Sequence, residues 1–268
     1  MKIALVNLSK IQDFSKTPYY QASLEFLEEN NIDYVDYFSG RENFEDLLNG
    51  FHEALGDDSV DLVWFIQGGS ELIQFLNKID WDLVRHSHKS FLGQSDFTHF
   101  AFRAIPLGVT CYYGPGLKQI KDYFPTAEQR QFVLDFLQNR KLQNYNGQIL
   151  RGTTSLTLED ERIIGGHSFI SAIMLAGAKI DMSNRVLFFE HHYIPGEEPK
   201  DVGYFLEAIK LNLASRPKAI ILGHSVLFDK DKNMIDVAVI NKYLLEQHID
   251  LDIPVFYVDH FQKILKLS

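Results

Sequence analysis

The feature that most constrains this chain is an apolar extended run that stops at a glycine and passes at once into a helix, with a serine at the corner. The run is Phe91-Leu92-Gly93 and the corner is Gln94-Ser95-Asp96. From Phe97 onward apolar residues recur at Phe100, Ala101 and Ala104. That i, i+3, i+4, i+7 stripe is one face of an amphipathic helix. A strand–turn–helix corner exposes its hydroxyl. It also points the helix N-terminus, with its N–H groups and positive dipole end, at the same spot. Such a corner suits a nucleophile with an oxyanion site beside it. The spacing equally suits a plain N-cap serine followed by an acid in the first turn. Phe97 stands where the pattern G-x-S-x-G would place its second glycine, so local spacing leaves both readings open.

Around this corner, short apolar strands alternate with helical stretches. Ile3–Val6, Tyr34–Tyr37, Leu62–Ile66, Phe91–Leu92 and Val109–Tyr113 read as extended. Tyr20–Glu29, Phe44–Leu55 and Glu71–Leu76 read as helical between them. The pattern predicts an α/β fold with a mainly parallel sheet. Further on, Ser155–Leu158, Val186–Phe189, Lys218–Leu222 and Pro254–Val258 read as strands, and Val202–Leu213 and Asn233–Glu246 as helices. Gly165-Gly166 is expected to open another helix. The polar stretch Leu137–Gly147 divides the chain. The expected organisation is residues 1–138 as a first α/β domain, 139–152 as a linker and 153–268 as a second α/β domain.

Polar candidates gather at the carboxyl ends of the predicted strands, where parallel α/β sheets keep their ligands. Gln67-Gly68-Gly69, Ser95 and Gly114-Pro115 each follow one; Glu190 ends Val186–Phe189, His224 follows Ile220–Gly223, and Asp259-His260 follow Pro254–Val258. The order serine, acid, histidine is one that a catalytic triad can take.

Composition narrows the partners. The 268 residues carry a formal net charge of −10 with pI near 5.4, which argues against nucleic acid or an anionic membrane surface as partner. The single cysteine, Cys111, lies in a predicted strand; it excludes an internal disulfide, fits a reducing compartment and reads as an inert buried thiol. The N-terminal apolar run is too short for a signal peptide, and no segment reaches membrane-spanning length, so a cytoplasmic location is expected. Glu190-His191-His192 does not read as a metal site, because consecutive strand residues face opposite ways. His86 and His88 sit in the charged run Arg85–Lys89, which reads as solvated. No metal and no cofactor are expected.

The ordered series of motifs resembles the LD-carboxypeptidases (muramoyltetrapeptide carboxypeptidases), with the microcin C self-immunity hydrolases as a sister branch. The core resemblance runs from about Asp61 to Pro115. It comprises the apolar strand Leu62–Ile66, Gly68-Gly69, a short helix ending in Asp80-Trp81-Asp82-Leu83, the lysine strand Lys89–Leu92, Gly93-Gln94-Ser95-Asp96-Phe97-Thr98 and Gly114-Pro115. Later matches are looser: Gly165-Gly166-His167 stands for Gly-Gly-Asn, Glu190 ends an apolar strand, and Asp259-His260 precedes Ile264–Leu267 where the family has Gly-His and a Leu-Pro strand. The N-terminal Ala-Pro-Ser is absent, Ser70-Glu71 replaces a common Tyr-Gly, and His191 replaces the acid that usually follows the catalytic glutamate.

The resemblance implies a flavodoxin-like N-terminal domain of the class I glutamine amidotransferase kind and a C-terminal swivelling α/β domain. It implies a serine hydrolase with Ser95 as nucleophile, His260 as base and Glu190 as its orienting acid. His224 is the rival base. Backbone N–H groups of Asp96 and of the Gly68-Gly69 loop would hold the oxyanion. The substrate would be a murein peptide ending in a D-amino acid, or a peptidyl or aminoacyl nucleotide, and the assembly a homodimer. A member that binds peptide without cleaving it is the third reading, motivated by the altered C-terminal histidine motif.

Overall fold

The computed structural model describes residues 1–13, 15–117, 120, 126–139, 142, 148–152, 156–158, 161–177, 179–192, 197–229, 231–259 and 263–268. The chain forms two compact units. The first comprises Met1–Gln143 together with Phe261–Ser268, and the second Asn144–His260.

In the first unit, β1 (Lys2–Val6), β2 (Asp33–Asp36), β3 (Leu62–Phe65), β4 (Ser90–Gly93) and β5 (Thr110–Tyr113) run parallel in the order β2-β1-β3-β4-β5. This is the doubly wound flavodoxin-like order, which reverses direction between β1 and β3 and opens a crevice at their carboxyl ends. The chain's last strand, β11 (Leu265–Leu267), pairs antiparallel with β5 through Leu265↔Tyr113 and Leu267↔Cys111. The last residues were expected within the second domain. Pairing with β5 places them on the first unit's sheet instead, with Leu265 and Leu267 buried and Lys266 exposed.

The connecting helices are α1 (Pro18–Glu29), α2 (Phe44–Gly56), α3 (Leu72–Phe75), α4 (Trp81–His86), α5 (Phe97–Ala104) and α6 (Ala127–Asn139). Local chemistry sets their starts. Asn43 Oδ1 accepts the Asp46 N–H at 3.0 Å, and Asp80 Oδ1 accepts the Leu83 N–H at 2.9 Å. Asp80-Trp81-Asp82-Leu83 therefore opens a helix rather than ending one. The polar stretch expected as a bridge is partly regular: Leu137–Asn139 closes α6, a helix the sequence reading missed.

An aromatic cluster fixes α5 on the sheet. Phe100 lies 4.7 Å from Phe91, 5.2 Å from Phe65 and 5.4 Å from Trp81 between ring centroids, and Phe97 lies 5.0 Å from Phe65. Phe97 and Phe100 are fully buried. Lys89 serves as a buried strut, its Nζ donating to the Asp57 and Val60 carbonyls at 2.7 and 3.0 Å and so tying down the loop before β3.

In the second unit, β7 (Ile163–His167), β8 (Val186–Glu190), β9 (Ala219–Gly223) and β10 (Val255–Val258) run parallel in that order. The strand β6 (Gln148–Arg151), within the expected linker, pairs antiparallel with β10. Helices α7 (Ser168–Met174), α8 (Pro199–Lys210) and α9 (Val237–Gln247) complete it. Gly165 and Gly166 belong to β7 and do not start a helix: a Cβ on Gly165 would stand 1.8 Å from the Phe188 carbonyl oxygen of β8. The helix α8 starts earlier than expected, because Pro199 fits its first turn and the Asp201 carboxylate accepts the Glu198 N–H at 2.8 Å. Leu156–Leu158 form no strand, and Ser155 lies outside the described residues.

Because α5 rests on Phe100, Phe100→Ala should cost about 3–5 kcal/mol in urea unfolding, as expected for an emptied aromatic site. A loss below about 1 kcal/mol would show that the elbow helix is held by something else.

Candidate active site

The corner after β4 takes the strained form that an exposed nucleophile requires. Ser95 has φ 55°, in the left-handed region that a residue with a side chain adopts at a cost of about 1 kcal/mol or more. It is the one partly exposed residue between Phe91 and Ala101; the rest are buried. The cap of α5 is Asp96, so Ser95 stands one residue outside the helix and is not its N-cap.

Three contacts hold that backbone. The Ser95 N–H donates to the Tyr113 hydroxyl at 2.8 Å, and the Ser95 carbonyl accepts from Thr98 Oγ1 at 2.6 Å and from the Thr98 N–H at 3.0 Å. Phe97 packs its ring over Gly93, where a Cβ would come within 2.5 Å of the ring. The bulk at the position of the missing second glycine is thus accommodated by the glycine that ends the strand.

The Gly68-Gly69 loop after β3 lies directly against this serine. A Cβ on Gly68 would stand 2.6 Å from Ser95 Cβ and 3.2 Å from its Oγ. Glycine is required here because main chain, not side chain, must approach the hydroxyl. The Asp96 carboxylate reaches this loop, accepting from the Leu72 N–H at 3.4 Å and from Ser9 Oγ at 2.7 Å, with the neighbouring Gly69 N–H favouring its ionised form. Of the residues proposed for this end of the site, Ser95, Asp96, Gly68 and Gly69 are therefore brought together. Ser9 and Tyr113 were missed. Ser9 was legible in principle, since it follows β1 at the point where the strand order reverses.

Burial pushes the Asp96 carboxyl up to about 7, with repulsion from Glu71 adding to it, against hydrogen bonds from Ser9, Leu72 and Gly69 that favour the ionised form. An acid whose folded pKa exceeds its unfolded value binds its proton more tightly in the native state. Native stability therefore falls as pH rises from about 4 to about 7.

The remaining candidates lie in the second unit. Glu190 ends β8, fully buried, with His167 opposite it in the β7–β8 register. His192 Nε2 lies 3.8 Å from Glu190 Oε2, and the His192 N–H donates to His167 Nε2 at 3.4 Å. Burial brings His167 and His192 down to about 4, so both are neutral at neutral pH. His191 points elsewhere. Its Nδ1 accepts from Ser168 Oγ at 2.5 Å and its Nε2 donates to Glu197 Oε2 at 2.6 Å. Glu197 thus holds a buried imidazole that burial keeps neutral. The rival base His224 contacts the Tyr257 hydroxyl through Nδ1 at 2.9 Å. His260 lies outside the described residues. Among the described residues no group of three or more His, Cys, Asp or Glu is arranged to hold a metal ion. Nor is any helix among them long and apolar enough to cross a membrane.

Residues 3–114, the segment containing β1 to β5, match the family model described as the LD-carboxypeptidase N-terminal domain. That stretch of the chain is similar to the N-terminal domain of the LD-carboxypeptidase family. The family is one of serine peptidases, and the matched segment contains the Ser95 corner and the Gly68-Gly69 loop. Solved structures share the fold along the whole chain. A muramoyltetrapeptide carboxypeptidase from Oxalobacter formigenes is 20% identical with TM-score 0.74, covering 100% of this chain and 93% of its own. The microcin C7 self immunity protein MccF in complex with aspartyl sulfamoyl adenosine is 18% identical with TM-score 0.73, covering 100% and 91%. An MccF-like protein from Streptococcus pneumoniae in complex with AMP is 17% identical with TM-score 0.74, covering 100% and 94%. No curated protein matches the sequence significantly.

Two expectations follow from the geometry. Asp96→Asn removes the buried ionisation, so in thermal melts the variant should gain on the wild type between pH 5 and pH 8; a difference in Tm that is equal at both would contradict the assignment. Gly68→Ala should leave the protein folded by circular dichroism yet slow any acylation of Ser95 by about 100-fold, because the added Cβ would push the loop off the serine and a shift of about 1 Å costs on that order. Acylation at the wild-type rate would show that the loop does not face the reacting atoms.

Proposed function

We propose that this chain is a serine carboxypeptidase of LD-carboxypeptidase type, hydrolysing the amide to a terminal D-amino acid in cytoplasmic murein peptides. One observation carries the reading: Ser95 sits at φ 55° between strand and helix, partly exposed, with Gly68 main chain against its side chain. In this reading Ser95 Oγ attacks the carbonyl carbon as His260 takes its proton. Glu190 orients the imidazole and balances its charge, and the protonated imidazole then passes the proton to the leaving amine. The N–H groups of Asp96 and Gly68 receive the negative charge that develops on the carbonyl oxygen. Water repeats the sequence on the acyl-enzyme and releases the shortened peptide. Two copies of the chain would form the working unit, as the family resemblance implies.

A second amide substrate, a peptidyl or aminoacyl nucleotide, is supported by the similarity to MccF in complex with aspartyl sulfamoyl adenosine and to the MccF-like protein in complex with AMP. The reaction type is the same and the leaving group differs.

A fluorophosphonate probe should label Ser95, and Ser95→Ala should abolish both the label and hydrolysis, turnover falling by on the order of a million-fold. Incubation with murein tetrapeptide and, separately, with a peptidyl-adenylate analogue assigns the substrate: release of D-alanine from the first supports the carboxypeptidase, and cleavage of the second alone supports the nucleotide amidase. Labelling that persists in Ser95→Ala would remove Ser95 from the mechanism.

A further inference from the structure

Three loops meet at the carboxyl ends of β1, β3 and β4, and the connections tying them together converge on one side chain. Asp96 is 1% exposed. Its Oδ1 accepts from Ser9 Oγ at 2.7 Å and its Oδ2 accepts from the Leu72 N–H at 3.4 Å, and the nearby Gly69 N–H favours its ionised form. Ser9 grips the same loop from the other side, its carbonyl accepting from the Ser70 and Glu71 N–H groups at 3.2 and 3.4 Å. Glu71, where the family commonly has a glycine, in turn accepts the Ile11 N–H. The fit leaves no slack: a Cβ on Gly69 would come within 1.9 Å of the Ser9 carbonyl oxygen.

We infer that the Asp96 side chain is a positioning residue for the oxyanion site, binding the Gly68–Leu72 loop to the nucleophile turn with Ser9 as brace. The inference rests on the reading of Ser95 as nucleophile and goes beyond it, since that reading uses only the backbone N–H of Asp96. The geometry gives the reason. Gly68 is the residue against Ser95, and Asp96 holds the same loop at Leu72 and, through Ser9, at Ser70 and Glu71. A loop held there keeps the Gly68 main chain against the hydroxyl. An oxyanion donor acts only when preorganised, and a displacement of about 1 Å can cost on the order of a hundredfold in rate. Ionised, Asp96 offers two acceptor oxygens to three donors; an asparagine offers one, and its NH2 would face a donor.

The test uses Asp96→Asn, Ser9→Ala and the double variant, all in the full chain. Labelling of Ser95 by a fluorophosphonate is resolved into probe affinity and maximal rate, and hydrogen exchange reports the Gly69 amide. The expected result is a maximal rate lowered about tenfold or more in each single variant with affinity nearly unchanged, because the lost interaction matters only in the transition state. The double variant should be no slower than Asp96→Asn alone, the non-additivity of one connected network. Gly69 should be protected in the wild type and exchange faster in Asp96→Asn. Wild-type labelling rates in the folded single variants, an equal fall in affinity, or an unprotected Gly69 would each overturn the inference. A wild type that takes no label at Ser95 overturns the nucleophile reading itself, and the role built on it falls with it; a wild type that labels while the variants match it overturns the positioning role alone.

Discussion

A side-chain-bearing residue held at positive φ between a strand and a helix is unfavourable by itself, and the first unit is arranged around maintaining it at Ser95. The hydroxyl of Tyr113 holds its N–H, and Thr98 holds its carbonyl twice. The helix that follows cannot relax the turn because Phe97 and Phe100 are buried in an aromatic cluster with Phe65, Phe91 and Trp81. Gly93 supplies the space for the Phe97 ring, so a phenylalanine occupies the position where the general hydrolase elbow uses glycine. Strain of this kind persists only where the surroundings over-determine it. Here hydrogen bonds, ring packing and a glycine contact all fix one short turn.

Electrostatics at this corner run against stability. A carboxyl as buried as Asp96 favours its protonated form, yet its three hydrogen-bond donors favour the carboxylate. Replacing such a group with an apolar residue would relieve the desolvation cost and lose the connection between loops. The second unit has a different character. Its imidazoles at His167, His191 and His192 are held neutral by burial, and each has a defined neighbour: His192 for His167, Ser168 and Glu197 for His191, and Glu190 for His192. That set keeps Glu190 in a dry setting, which strengthens any charge it carries toward an imidazole.

Much of this was legible in the sequence where apolar periodicity is strong. The strand–turn–helix at Ser95, the parallel α/β alternation and the Gly68-Gly69 loop all follow from short apolar runs broken by glycine. Other features were not, for physical reasons. Gly165-Gly166 reads as a helix opening because glycine pairs often precede helices, yet close approach to the Phe188 carbonyl demands glycine inside a strand. The antiparallel return of Leu265–Leu267 onto β5 depends on pairing across some 150 residues of chain, which no local pattern encodes. The place of Ser9 after β1 can be read along the chain, but its pairing with Asp96, 87 positions away, cannot.

The central claim is that Ser95 is a nucleophile held ready by its own backbone. The most direct measurement is a crystal structure of the protein after reaction with a fluorophosphonate. The account predicts phosphorus bonded to Ser95 Oγ, Ser95 still in the left-handed region, and the phosphoryl oxygen about 2.7–3.1 Å from the N–H groups of Gly68 and Asp96. An adduct on another residue, or a phosphoryl oxygen turned away from both amides, would contradict it.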